Sequence, residues 1–201
     1  MTYDKLPSKS SIEKSISSLK SNGIDAYFVQ TAEEAKKKVL ELIPKGTSVM
    51  TMTSVTLDSI GITNEINQSE KYDSIRNKLM KITDKQGLEM QKLISSPEWV
   101  IGSVHAVTED GKVLIASNTG SQLPAYAYGA GHVIWVVGAQ KLVENIDEGM
   151  KRIYEHSLPL ESERAKKAYG VSGSSVNKIL IVNKEITPRI TLIFVNEVLG
   201  F

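Results

Sequence analysis

The chain has 201 residues, is 41% hydrophobic and 23% charged, and carries a formal net charge of +1. That size and apolar content suit one large domain, and the near-neutral balance gives no global field to draw it to nucleic acid or an anionic membrane. It contains no cysteine, which excludes disulfides, thiolate nucleophiles, iron–sulfur clusters and cysteine-ligated zinc together.

A first helix is predicted from near Ser10, where Ser10 and Glu13 have capping-box spacing and Ile12, Ile16 and Leu19 recur at helical intervals up to Gly23. Ile24 to Val29 reads as a short buried strand. Thr31 and Glu34 repeat the capping-box spacing before Ala35, Val39 and Leu42, and Pro44-Lys45-Gly46 turns the chain. Thr47 to Met50 forms a second strand. It runs into the polar stretch Thr51 to Thr56 and a short helix marked by Leu57, Ile60 and Ile62. Residues 64–95 are polar and mostly helical in pattern, with Ile75, Leu79 and Ile82 as the buried face.

Pro97 and Trp99 announce a central unit. Val100 to Val107 and Val113 to Ala116 are strand-like on either side of Glu109-Asp110-Gly111. A polar loop of small residues, Ser117 to Gln122, leads into a helix over 122–130 with Pro124 in its first turn. His132 to Val137 is a buried strand, and Asn145 with Glu148 caps another helix through Met150 and Ile153. Leu158 to Ser175 is punctuated. Lys178 to Val182 and Ile190 to Val195 then read as a late hairpin or edge addition around Thr187-Pro188-Arg189. Helices alternating with short apolar strands imply an α/β fold: a mainly parallel open sheet with helices on both faces and a C-terminal β-rich addition. Met1 to Ser15 has no apolar run of signal-peptide type, and Val133 to Val137 is too short to cross a bilayer. A soluble cytoplasmic protein is the expectation.

The run 102–141, with 51–62 before it and 178–201 after it, resembles the LUD-domain family, the lactate-utilisation proteins of the C type. The resemblance covers most of the chain as one domain, 1–201. It implies the fold of glucosamine-phosphate deaminase, ribose-5-phosphate isomerase and the coenzyme A transferases. Asp110-Gly111 followed by Asn118-Thr119-Gly120 also looks like the pattern of methylthioribose-1-phosphate isomerases and their translation-factor relatives. Larger family members hold iron–sulfur clusters through cysteines. This chain has none, so that role is not carried over. The family context implied is bacterial lactate oxidation.

Candidate site residues fall in two loops. Asn118, Thr119, Gly120, Ser121 and Gln122 could offer amides and hydroxyls to a phosphate or carboxylate at the start of a helix, with Gly120 free to take a positive φ; alternatively Thr119 or Ser121 simply caps that helix. Thr53, Ser54 and Thr56 follow an earlier strand in the same way, although Thr53 or Ser54 would serve equally as an N-cap. Loops at the carboxyl ends of neighbouring parallel strands face one crevice, which is where small-molecule ligands collect. Glu109 and Asp110 are the acid/base candidates, since isomerases and transferases on this fold use carboxylates; Glu-Asp-Gly between strands is also a plain hairpin turn, and that is the favoured reading. His105, His132 and His156 lack metal-ligand spacing, so no metal or cofactor is expected. Gly129-Ala130-Gly131 ends a helix rather than opening one, which excludes a dinucleotide fingerprint. Gly170 to Ser175 is either a flap over the crevice or an ordinary loop, and Tyr126 and Tyr128 either line a pocket or pack.

Two functions follow. One is an enzyme or enzyme component, isomerase- or transferase-like, taking a small anionic metabolite: phosphorylated, acyl-coenzyme A or hydroxy-acid. The other is a non-catalytic sensor or assembly subunit of a metabolic complex. A homodimer or partner subunits of a lactate-utilisation complex are the expected associations, with no nucleic acid and no membrane.

Overall fold

A computed structural model of the chain describes residues 3–84 and 87–201. The first helix, α1 (Lys9–Ser21), is capped two residues earlier than its sequence suggested: Ser8, not Ser10, accepts the Ser11 amide. β1 (Asp25–Val29) follows, and α2 (Ala32–Leu42) starts at Thr31, whose hydroxyl accepts the Glu34 amide as its spacing predicts. β2 (Ser48–Thr51) leads into α3 (Val55–Ser59) and α4 (Ile62–Gln68). The predicted helical stretch 64–95 resolves into the end of α4, a two-residue β3 (Asp73–Ser74), α5 (Ile75–Lys81) and α6 (Leu88–Ser95). Its positions 85 and 86 lie outside the described residues.

The strand expected from Val100 to Val107 is two strands. β4 (Trp99–Gly102) ends at Ser103-Val104-His105, where the chain crosses into a second sheet as β5 (Ala106–Thr108). β6 (Val113–Ser117) pairs antiparallel with β5 across the Glu109-Asp110-Gly111 turn. The helix expected at 122–130 is a five-residue π-turn, Ala125–Gly129. β7 (His132–Gly138), β8 (Leu142–Val143), α7 (Ile146–Arg152), a second π-turn (Ile153–Ser157) and α8 (Leu158–Tyr169) come next. Asn145 caps α7 by accepting the Glu148 amide. Gly170, at φ 68°, ends α8 in a conformation glycine adopts without strain.

The main sheet is six-stranded and parallel, in the order β1-β10-β7-β4-β2-β3, where β10 is Ile190–Val195. The C-terminal strands therefore form no hairpin. β9 (Lys178–Val182) is the edge of the second sheet, antiparallel to β6, while β10 sits inside the main sheet between β1 and β7. The reason is the pattern Ile-Thr-Leu-Ile-Phe-Val: apolar residues occupy both faces, and only an interior strand buries both.

Both faces of the main sheet are covered. Val133, Trp135 and Val137 of β7 point to one side, against α1, α5, α6 and the second sheet. Ile134 and Val136 point to the other, against α2, α3 and α4. The second sheet, β8-β5-β6-β9, lays Val107, Val113 and Ile115 on that first core and turns Ala106, Leu114 and Ala116 toward Ile153. A Cβ at Gly149 would stand 2.8 Å from Leu114 Cδ2, so glycine there lets α7 lie close on the second sheet. No described helix is long and apolar enough to cross a membrane.

Candidate functional site

Splitting one strand into β4 and β5 opens a space between the two sheets, at the carboxyl ends of β2, β4 and β7. It is a cavity of about 700 Å³, well within the range that holds small metabolites and cofactors. Four wall segments meet there: the loop after β2, the crossing Ser103-Val104-His105, the loop after β6, and the stretch from the second π-turn through α8 to Val176. Both π-turns border it through Tyr126, Ile153 and Ser157. Such turns recur at functional sites because they displace side chains out of helical register.

Thr53, Ser54 and Thr56 all line the cavity. Ser54 also caps α3, accepting the Leu57 amide at 3.4 Å, so its two readings are compatible. The Arg76 guanidinium, from α5, donates to Thr51 O and, at 3.3 Å, to Thr53 Oγ1 while itself lining the cavity. Burial holds its pKa below the usual arginine value.

Asn118, Thr119, Ser121 and Gln122 line the opposite side; Gly120 does not. Gly120 takes the expected positive φ, 86°. Its amide is spent on Ser117 Oγ at 2.8 Å and the Ser121 amide on Thr119 Oγ1 at 3.3 Å. The loop therefore presents side chains rather than a ring of free amides, and it leads into a π-turn too short to act as a helix terminus. Asn177 orients Asn118, donating to its Oδ1 at 2.8 Å. Val171 and Gly173 to Val176 close part of the wall, so the punctuated segment after α8 borders the cavity.

Glu109 and Asp110 lie at the far end of the β5–β6 hairpin, outside the cavity lining. Lys14 donates to Glu109 Oε2 at 2.7 Å, and Lys112 and Thr108 bond Asp110. These hydrogen bonds hold both carboxyls below the usual carboxylate range. The site built around the cavity does not bring them in. His132 stacks on Trp99 at 4.1 Å and His156 packs on Tyr3 at 5.4 Å. No group of three or more metal-binding side chains occurs among the described residues.

The cavity's charge comes from a residue the sequence reasoning passed over. Lys141 follows β7 and is only 2% exposed. Its Nζ donates to Thr56 Oγ1 and Ser103 Oγ, each at 3.2 Å, and among the described residues no carboxylate pairs with it. Burial, with a smaller push from Arg152, lowers its pKa to about 7. Arg152 is fully buried. It donates to His105 O at 2.6 Å and Ser157 Oγ at 3.0 Å, while its Nε and Nη2 have no hydrogen-bond partner among the described residues. Burial brings it down to about 10. His105 lies beside these cations, and desolvation together with both charges takes its pKa to about 3. The ring is neutral, and since Nδ1 accepts the Ala116 amide at 3.1 Å, the proton sits on Nε2. The remaining walls are apolar and adaptable: Met50, Met52, Met80 and Met90 line them, four of the chain's six methionines.

A family model for the LUD domain matches residues 12–195. The chain belongs to the LUD-domain family. A solved structure of a DUF162-family protein from Deinococcus radiodurans superposes with a TM-score of 0.57 at 11% identity, covering 94% of this chain and 99% of that one. At that identity the likeness shows the fold alone. A D-ribose-5-phosphate isomerase in complex with phospho-erythronic acid aligns at 16% identity over 65% of each chain, with a TM-score of 0.38, too loose to carry an argument. No curated protein matches the chain.

Proposed function

We propose that this LUD-domain protein binds a small anionic metabolite (phosphorylated, acyl-coenzyme A or hydroxy-acid) in the cavity at the strand ends, in the setting of lactate utilisation that the family suggests. The observation that carries this reading is Lys141, an amine buried at the cavity and bonded to two hydroxyls, with no carboxylate among the described residues paired to it. A buried charge without a counter-charge is costly, and an anion entering the cavity supplies what the chain withholds. Arg76, His105 Nε2–H and the side chains of Thr53, Asn118 and Gln122 give further donors around the same space.

The reading takes no acid or base from the β5–β6 turn. Among the described residues, the two carboxylate side chains that line the cavity each have a donor: Glu161 accepts a two-point bond from Arg164, at 2.7 Å each, and Asp58 accepts from Thr63 at 2.6 Å. That favours, as a second reading, a ligand sensor or assembly subunit whose work ends at binding.

A thermal-shift panel of lactate, sugar phosphates and coenzyme A thioesters tests the proposal. A bound ligand at a hundredfold excess over its Kd stabilises by about 2.7 kcal/mol, and that shift should vanish in Lys141→Met and weaken in Asn118→Ala. Shifts that survive Lys141→Met undiminished would place the ligand elsewhere.

A further inference from the structure

We infer that Lys141 is a carbonyl-reactive amine, whose Nζ adds to a small anionic aldehyde or 2-oxo acid in the cavity and forms an imine. This deepens the anionic-ligand reading and rests on it.

The geometry separates Lys141 from a structural lysine. A buried structural ammonium is ordinarily held by a carboxylate or a ring of carbonyls. Here two hydroxyls, Thr56 Oγ1 and Ser103 Oγ, are its hydrogen-bond partners. Hydroxyls accept from an ammonium, and they equally donate to a neutral amine. The Ser103 hydroxyl can thus pair with either protonation state, while the Thr56 hydroxyl, which donates to Leu199 O at 3.2 Å, serves as an acceptor. The turn after β7 places the amine at the middle of the main sheet, facing the cavity. Behind it stands Arg152, a second buried cation that opposes protonation. Desolvation beside another positive charge is one way a lysine becomes nucleophilic near neutral pH. The direction of its pKa agrees: at about 7, close to half of Lys141 is free amine at neutrality.

The chemistry balances without an oxidant or a further reactant. The Nζ lone pair attacks the carbonyl carbon and a C–N bond forms. The carbonyl π electrons move to oxygen, which takes a proton relayed from nitrogen through the Ser103 hydroxyl, giving a carbinolamine. A second proton, taken from solvent water entering the open cavity, reaches that oxygen, the C–O bond breaks with its electron pair going to oxygen, the nitrogen lone pair forms the C=N bond, and water leaves behind a protonated imine. Arg76 and His105 Nε2–H remain to hold the substrate's own anionic group. The imine then serves as an electron sink for bond changes at the neighbouring carbon.

The test is reductive trapping on the full chain at pH 7, with pyruvate, glyoxylate and pyridoxal 5′-phosphate as separate probes, cyanoborohydride as reductant, and peptide mass mapping. Lys141, buried beside Arg152, should be labelled at least about tenfold more than Lys9, which is highly exposed. Lys141→Arg should lose that label. Ser103→Ala, which removes one of the two hydroxyls on Nζ, should slow labelling, and this covers the case of an arginine variant that does not fold. A probe that shifts Tm but leaves Lys141 unlabelled would overturn the imine and leave the anion site standing. Neither shift nor label with any probe would overturn the imine and count against the anionic-ligand reading as well.

Discussion

The two ends of the β5–β6 hairpin carry charge in opposite ways. At the turn, Glu109 and Asp110 meet Lys14, Lys112 and Thr108, so every carboxylate has a donor and both pKa values fall. At the other end, where Ser103 to His105 enter the hairpin and Ser117 leaves it, Lys141 and Arg152 are buried, no carboxylate among the described residues bonds either, and their pKa values fall for the contrary reason, loss of water, which the charge of Asp4 only partly offsets at Arg152. The turn pairs its charges within the chain. At the cavity the buried cations have hydroxyl and carbonyl partners from the chain, and the proposed anion is what would supply their counter-charge.

The largest expected effect strikes the turn. Gly111 has φ 79°, and a Cβ on it would lie 2.6 Å from Ser18 C and 2.7 Å from Leu19 N in α1. Gly111→Ala therefore combines a disfavoured backbone conformation with a backbone clash, and should destabilise by about 3 kcal/mol in denaturant titration. In the fraction that remains folded, ligand-induced shifts and Lys141 labelling should match the parent protein. If the variant folds normally but loses the ligand response, the turn belongs to the site and the contrast fails.

The next effect strikes the cavity end, with the opposite sign. Lys141→Met replaces a buried cation with an apolar side chain of similar length, so stability at neutral pH should hold or rise by about 1 kcal/mol while ligand binding is lost. The pH profile sharpens this. Lys141 has a folded pKa of about 7 against 10.5 unfolded, so between those values the unfolded chain holds more protons and stability climbs with pH. The rise should be on the order of a few kcal/mol, and Lys141→Met should flatten it. The acid limb belongs to other groups. His105, at about 3 folded against 6.5 unfolded, and the depressed Glu109 and Asp110 each lose stability as pH falls. Urea midpoints measured across pH check both limbs, and an alkaline climb persisting in Lys141→Met would show that Lys141 is not its source.

The sequence made the frame legible and hid the charge. Thr53, Ser54, Thr56, Asn118 and Gln122 were readable because polar loops of small residues after apolar strands have a local signature, and the structure sets them around one cavity. Lys141 has no such signature. It follows Gly138-Ala139-Gln140 and precedes a helix of mixed charge, so it reads as a surface lysine. Its burial is decided by Thr56 and Ser103, which are distant in sequence, and by the chain segment around Leu199 and Gly200 that Gln140 and Thr56 hold in place. One signal was available: Lys141 lies three residues beyond a strand buried on both faces, at the sheet end where sites collect. β10 was misjudged for a related reason. Its all-apolar pattern calls for an interior position, but nothing local shows that β1 and β7 leave room for a strand between them.

The smallest expected effect is the most direct probe of the turn carboxylates. The Lys14–Glu109 pair is well formed at 2.7 Å, yet the lysine side chain is 64% exposed and the carboxylate 22%. Water and salt screen such a pair, and holding a long lysine in one geometry costs side-chain entropy. Lys14→Ala and Glu109→Gln should each lower Tm no more than an ordinary surface substitution, and the deficit should shrink as salt is raised. The double variant should come close to the sum, since little coupling is there to lose. Ligand response is the sharper readout. If Glu109 is a structural group, Glu109→Gln leaves every ligand-induced shift and the Lys141 labelling rate intact. A loss of turnover in Glu109→Gln, with binding unchanged, would instead restore the turn carboxylate as the missing acid or base. It would then have to reach the cavity through a rearrangement of the hairpin that breaks its bond to Lys14.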